Sequence, residues 1–295
     1  MAGLTITGLD MTTYPIISAK DATAAITQDN IIVFDASSHL PNVERDAEAE
    51  FLDGHLPHAQ RFDINTIALP DADYPHTMPT APLFQRNMQL MGVHQDSHIL
   101  IYDDSDIFSA ARAWFMFRYF GHDRVQIIDG GLKAWKAADG TMETGTPQAR
   151  ERGDFLAQDP LQNDGLISVH GMKKLVSKPI DERGRHILDA RSADRFYGRV
   201  AEPRRGLASG HMPGAINIPF TDLLDRETGL MKSPDEIEKV FQDVSTDKAV
   251  ATTCGSGVTA CVLILGLAMI GRYDAALYDG SWTEWGSRED CPISV

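Results

Sequence analysis

Ala249-Val250-Ala251-Thr252-Thr253-Cys254-Gly255-Ser256-Gly257-Val258-Thr259-Ala260-Cys261 reads as a β-type segment running into a tight loop, and the apolar run Val262 to Ile270 follows at once as a helix. Glycines at 255 and 257 let the backbone curl through positive φ and turn successive N–H groups inward. A cysteine heading such a loop, just before a helix N-terminus, sits where partial positive charge collects, which favours the thiolate. Cys254 is therefore the candidate nucleophile. The competing reading is a structural cysteine buried beside a turn; the strand–loop–helix setting argues against it.

Outward from this loop, the chain states the same pattern twice. Ile31 to Asp35 and Ile99 to Asp103 are buried β-type runs, Ser109 to Phe120 has apolar residues at helical spacing, and Val125 to Gly131 is a strand and turn leading into the helix at Leu132-Lys133-Ala134-Trp135. His186-Ile187-Leu188-Asp189-Ala190 echoes Val33 to Ala36, and Gly210-His211-Met212-Pro213-Gly214-Ala215 echoes Gly54-His55-Leu56-Pro57-His58-Ala59. From Asp35 to Asp189, His55 to His211, Asp103 to Cys254 and Asp129 to Asp279 the offsets are 154, 156, 151 and 150 residues. Four markers at one near-constant period mean a duplicated domain. Strands alternating with helices predict an α/β fold of two similar domains, each a parallel sheet flanked by helices on both faces. The joint falls in the Gly-, Pro-, Thr-, Gln- and Asp-rich stretch from Gly140 to Gly165, which predicts an N-terminal domain over 1–144, a linker over 145–165 and a C-terminal domain over 166–295. Asp103 stands where Cys254 stands in the other copy, so the first domain is expected to be silent in thiol chemistry.

Composition narrows the classes. A chain of 295 residues with 43% hydrophobic residues can bury two cores. A net charge of −15 without a basic stripe excludes a nucleic-acid partner. Three cysteines at 254, 261 and 291 make neither a disulfide framework nor a metal-ligand spacing, and suit a reducing compartment. Met1 to Asp10 carries no leader signature, and Val262 to Ile270 is too short to span a membrane. The expectation is a cytoplasmic enzyme with no membrane partner.

The tandem repeat, the paired Gly-His-x-Pro-x-Ala boxes, the Asp129-Gly130-Gly131 and Asp279-Gly280-Ser281-Trp282 closings and the Cys254-Gly255-Ser256-Gly257-Val258-Thr259-Ala260 loop resemble the rhodanese-type sulfurtransferases, from about Ile17 to about Gly286. Members that use thiosulfate typically carry an Arg and a Lys inside the loop; here Gly255 and Ser256 take those places, so the resemblance is to the branch that takes 3-mercaptopyruvate as donor. It implies two arginines for the donor's carboxylate and carbonyl: Arg195, in Asp194-Arg195-Phe196, and Arg204, in Glu202-Pro203-Arg204. Guanidinium forks suit those oxygens. The alternative is ordinary surface arginine, in a charged loop from Arg183 to Arg205 that holds seven; Arg199 and Arg205 are read that way. The implied reaction leaves a persulfide on Cys254, held by the loop amides from Gly255 to Ala260, and releases pyruvate. The outer sulfur then passes to a small thiol, thioredoxin or cyanide. No cofactor and no metal are implied. Ser256 is the nearest hydroxyl for the leaving enolate.

The resemblance also implies a Ser-His-Asp arrangement, whose histidine maps to His76 and whose acid maps to Asn65. An amide orients an imidazole but cannot balance its charge, so a strict triad is not expected. Asp63 shares a face with Asn65 if this segment is a strand. A catalytic His76 and a plain loop histidine both stay open. His55, His211, Asp35 and Asp189 recur in both copies and are read as structural; Trp282 walls the pocket or packs in the core; Cys261, two helical turns past Cys254, is core; Cys291, near an exposed terminus, is a bystander or a redox site. Other classes considered are a thiosulfate-using rhodanese, a non-enzymatic module of the same fold, and a cysteine-loop phosphatase, which needs an arginine where Ala260 stands.

Overall fold

The computed structural model describes residues 14–40, 43–158 and 165–295. The expected leader-free terminus, Met1 to Asp10, and residues 159–164 of the expected linker lie outside the described residues.

In the first half, β1 (Ile16–Ile17), β2 (Ile31–Asp35), β3 (Gln60–Arg61), β4 (His98–Tyr102) and β5 (Val125–Ile128) form a parallel sheet in the order β1-β5-β4-β2-β3. In the second, β6 (Leu166–Ile167), β7 (Arg185–Asp189), β8 (Ile216–Asn217), β9 (Ala249–Thr253) and β10 (Ala275–Tyr278) repeat that order as β6-β10-β9-β7-β8. The first sheet carries α1 (Ala19–Ala25), α2 (Ala47–Asp53), α3 (Ile64–Ile67), α4 (Ala81–Leu90), α5 (Ala110–Tyr119) and α6 (Gly131–Ala137). The second carries α7 (Val169–Val176), α8 (Ala193–Phe196), α9 (Pro234–Val240), α10 (Ala260–Met269) and α11 (Ser281–Trp285).

Alternation along the strands divides the cores. Ile32 and Phe34 face the cluster that contains α5, while Ile31 and Val33 face α1 and α6 on the other side. Leu188 and Ile187 divide in the same way in the second half. One apolar cluster runs through both halves, because α5 and α10 lie together at its centre. Every residue of α10 is buried, which explains a helix with no polar face. Among the described residues no helix is long and apolar enough to cross a membrane.

Three expectations change here. The stretch expected as a linker is bound to the first half as far as it is described: Gly153 N donates to Gln89 O at 2.8 Å, Gln158 N to Phe120 O at 2.9 Å, and Phe155 is fully buried against Phe84 and Phe117. The seven arginines do not share one charged loop, since Arg185 begins β7 and Arg195 lies in α8. Cys291 is buried with Trp285 and Tyr278, and no exposed thiol stands at this terminus.

Candidate active site

Asp189 pairs with Thr253 at the carboxyl edge of the second sheet, so Cys254 emerges where α/β folds place their ligands. The loop is fixed from one side. Trp282 N donates to Cys254 O at 2.9 Å, Thr283 N and Oγ1 donate to Gly255 O at 2.9 and 2.6 Å, and Cys254 N donates to Ser281 Oγ at 3.2 Å. Ser281 has φ 49°, in a place where the first copy has Gly131 at 53°. A left-handed non-glycine residue costs about 1–2 kcal/mol, and here its hydroxyl holds the amide of Cys254. With the first two carbonyls tied down, the amides of 255–259 have no acceptor among the described residues. Five successive unpaired donors beside a thiol are what an anion-holding nest requires.

Cys254 is 2% exposed and lines a cavity of about 670 Å³ between the two halves. Gly255, Ser256, Val258, Thr259, Arg195 and Arg204 line it from the second half, and Ser38, Asn65 and His76 from the first. Arg195 is held by Glu202, through Nη2 at 2.5 Å and Nε at 3.3 Å. Glu202 in turn accepts from Arg191 at 2.8 Å, and Arg191 is locked to Asp189 and lies 4.0 Å over the Trp282 ring. Trp282 is thus core beneath Arg191 and does not wall the cavity. Arg204 has no hydrogen-bond or ion-pair partner among the described residues; burial holds its guanidinium below the usual range, against the pull of Cys254. A Cβ on Gly255 would stand 3.0 Å from Arg195 Nη2. The missing side chain at 255 and the arginine beside it occupy one space.

His76 is left-handed, with φ 61°, and its Nδ1 is buried without a partner. Burial first, then Arg112 and Arg204, push its imidazole down to about 4, with Asp63 pulling the other way. It is therefore a neutral ring. Asp63 is no strand neighbour of Asn65: it is the N-cap of α3, accepting from Asn65 N at 2.9 Å and Asn65 Nδ2 at 3.0 Å. The period-two argument fails because the segment turns into a helix at Ile64. Arg112, from α5 of the first half, is 1% exposed and donates to His76 O, Gly257 O and Asp279 Oδ1 at 2.5, 3.2 and 2.8 Å. Cys261 donates its S–H to Gly257 O at 3.3 Å, and burial pushes its thiol up to about 12.

In the first copy the Asp103 carboxylate is bound within its own loop. Its Oδ2 accepts from Ser105 Oγ at 2.7 Å, and from Ser109 Oγ and Ala110 N at 3.2 Å each. The paired histidines make one contact twice. His55 Nδ1 meets Phe51 O at 2.9 Å and His211 Nδ1 meets Phe196 O at 3.0 Å, each ring stacked on that phenylalanine.

A family model described as "Rhodanese-like domain" matches residues 18–138 and 172–288. The chain belongs to the rhodanese family. This rhodanese is 42% identical over 261 residues to the 3-mercaptopyruvate sulfurtransferase of Rattus norvegicus, covering 87% of this chain and 85% of that one. It is 39% identical over 286 residues to the enzyme of the same name from Escherichia coli K12, covering 96% and 99%. The crystal structure of SseA from Escherichia coli, described as a 3-mercaptopyruvate sulfotransferase, superposes with a TM-score of 0.80 at 36% identity, over 92% of this chain and 99% of that one. This rhodanese is an enzyme of the sulfur-transferring class.

Sequence reading passed over Arg112, Arg191, Glu202 and Ser281. Two carried a signal. Arg112 is a lone cation in the apolar run Ala110-Ala111-Arg112-Ala113-Trp114, and Arg191 replaces the Ser37 of the other copy. Neither signal named the partner.

Burial also sets a pH dependence of stability. His98 donates from Nε2 to Gln126 Oε1 at 3.1 Å, and burial pushes its imidazole, like that of His76, down to about 4. Both bind fewer protons folded than unfolded, so their contribution is full above pH 6.5 and is lost as pH falls toward 4. Asp103, pushed up to about 6 by burial, runs the other way, with its contribution full below 3.8 and lost as pH rises through 6. Two groups outweigh one. Urea denaturation is expected to show stability falling by roughly 1–3 kcal/mol between pH 6.5 and 4.5, and His98→Gln is expected to flatten that slope.

Proposed function

We propose that this rhodanese moves sulfur from 3-mercaptopyruvate to a thiol or cyanide through a persulfide on Cys254. The observation that carries the reading is a nucleophile at the head of an unpaired amide nest, in one cavity with Arg195 and the unpartnered Arg204. The Cys254 thiolate attacks the donor's sulfur; the S–C bond breaks, its electron pair leaves with C3 as the pyruvate enolate, and an S–S bond forms on the enzyme. The carboxylate lies against the guanidinium forks. Ser256 and the neutral His76, which line the same cavity, supply hydrogen bonds to the enolate oxygen; the proton of the donor's thiol passes to C3, giving pyruvate and leaving the persulfide anionic. The amides of Gly255 to Ala260 stabilise the anionic persulfide without reorganising. A thiolate acceptor, from a small thiol or thioredoxin, takes the outer sulfur and returns Cys254 as its thiolate.

The loop disfavours a dianion such as thiosulfate, since both loop residues after Cys254 are uncharged. Steady-state kinetics with both donors test this. A kcat/KM preference of roughly a hundredfold or more for 3-mercaptopyruvate is expected, and a preference for thiosulfate would sink the assignment. Three free cysteines support a reducing, cytoplasmic setting.

A further inference from the structure

The two halves meet through a pair of related contacts that are not equal. Met78 N of the first half donates to Asp279 Oδ2 at 2.7 Å, and Met231 N of the second donates to Asp129 Oδ1 at 2.8 Å. Asp129 and Asp279 are repeat equivalents, so each half caps the other's Asp-Gly turn with a backbone amide. Among the described residues, a guanidinium is added on the reactive side alone. Arg112 reaches from α5 to Asp279, and the repeat position on α10 is the apolar Val262. Adhesion between the halves would call for the arginine on both sides or on neither.

Its acceptors say what it does. Besides Asp279, Arg112 bonds Gly257 O, three residues after Cys254 in its loop, and His76 O, at a left-handed residue that lines the cavity. One rigid fork therefore fixes the distance between the loop carrying the nucleophile, on the second half, and the imidazole, on the first. Gly257, at φ 77°, leaves room for this: a Cβ there would stand 2.8 Å from Asp279 O and 3.4 Å from Arg112 Nη1.

We infer that Arg112 is a positioning residue, by which the thiol-free first domain sets the Cys254 loop and His76 in register. The inference rests on the reading of Cys254 as the sulfur carrier. It assigns the silent domain a part in each turnover, and it means that the second domain alone lacks a complete site.

The test pairs Arg112→Met with Asp279→Asn, which removes both charges together, and adds Arg112→Lys, which keeps the charge but offers one nitrogen to three acceptors. For both variants kcat for transfer from 3-mercaptopyruvate to dithiothreitol is expected to fall about 10- to 100-fold, with donor KM within about threefold because Arg195 and Arg204 do not touch Arg112. Nitrogen-15 titration of His76 in Arg112→Lys is expected to move up from about 4 toward 6.5. The local charge is unchanged there, so looser placement of the ring is what moves it. Folded variants that keep kcat within about twofold and leave the His76 titration in place overturn the inference. If the double variant does not fold, Arg112→Lys decides by itself. A parent protein inactive with 3-mercaptopyruvate, whose His76 titration still moves in Arg112→Lys, removes the donor assignment and leaves the positioning role standing.

Discussion

Cys254→Ala is expected to lower sulfur transfer by about 10³-fold or more while the protein stays folded. Cys254 sits at 2% exposure on the wall of a cavity, and the bonds that hold the loop run through the backbone of 254 and 255 to Ser281, Trp282 and Thr283. None of them needs the thiol, so its loss removes the chemistry and little else. Cys261 cannot replace it, because burial pushes that thiol up to about 12 and it is spent on Gly257 O. Intact-protein mass after donor addition should rise by one sulfur, ~32 Da for a persulfide, in the parent only. A rise of the same size in Cys254→Ala would place the carrier elsewhere.

Arg204→Ala is expected to weaken donor binding by about 1.5–3 kcal/mol, the range for hydrogen bonds to charged groups. That is roughly 10- to 150-fold in KM. The size follows from what Arg204 lacks: no carboxylate or carbonyl among the described residues hydrogen-bonds its guanidinium, so the fork is open to a substrate carboxylate. Arg195 already shares Glu202 with Arg191, and its removal also loosens that network. Arg204→Lys should fall between, since it keeps the charge without the planar fork. Arg199→Ala is the control; that side chain is exposed, pairs with Asp194 at 3.4 Å and does not line the cavity. Equal KM values for Arg204→Ala and Arg199→Ala would remove Arg204 from the donor site.

Much of this was legible in the chain. The period near 150 residues made both sheets readable from either copy, and the buried strands Ile31 to Asp35 and Ile99 to Tyr102 needed no partner to be seen. Asp103 opposite Cys254 told the two copies apart. What stayed illegible depends on contacts between distant residues. Asp63 looked like a strand neighbour of Asn65 because alternation says nothing of where a strand ends, and the helix cap at 63 is a local choice between two backbone states. Trp282 looked equally like core and wall until Arg191 was found above it. Cys291 looked exposed because it lies near the chain end, yet α11 and Met172 enclose it.

The sequence by itself determined the duplicated α/β architecture, the single copy with a cysteine at its loop head and the absence of cations from that loop. Each of these is written in residues a few positions apart or one repeat apart, where periodicity and spacing carry the information. Only the tertiary structure decided that Arg195 is tethered and Arg204 free, that His76 is a neutral ring, and that Arg112 joins the two domains at the site. Those properties arise from burial and from side-chain pairings across 7 to 167 residues of chain, such as Arg195 with Glu202 and Arg112 with Asp279. Desolvation and hydrogen-bond geometry exist only once the two halves have closed on each other.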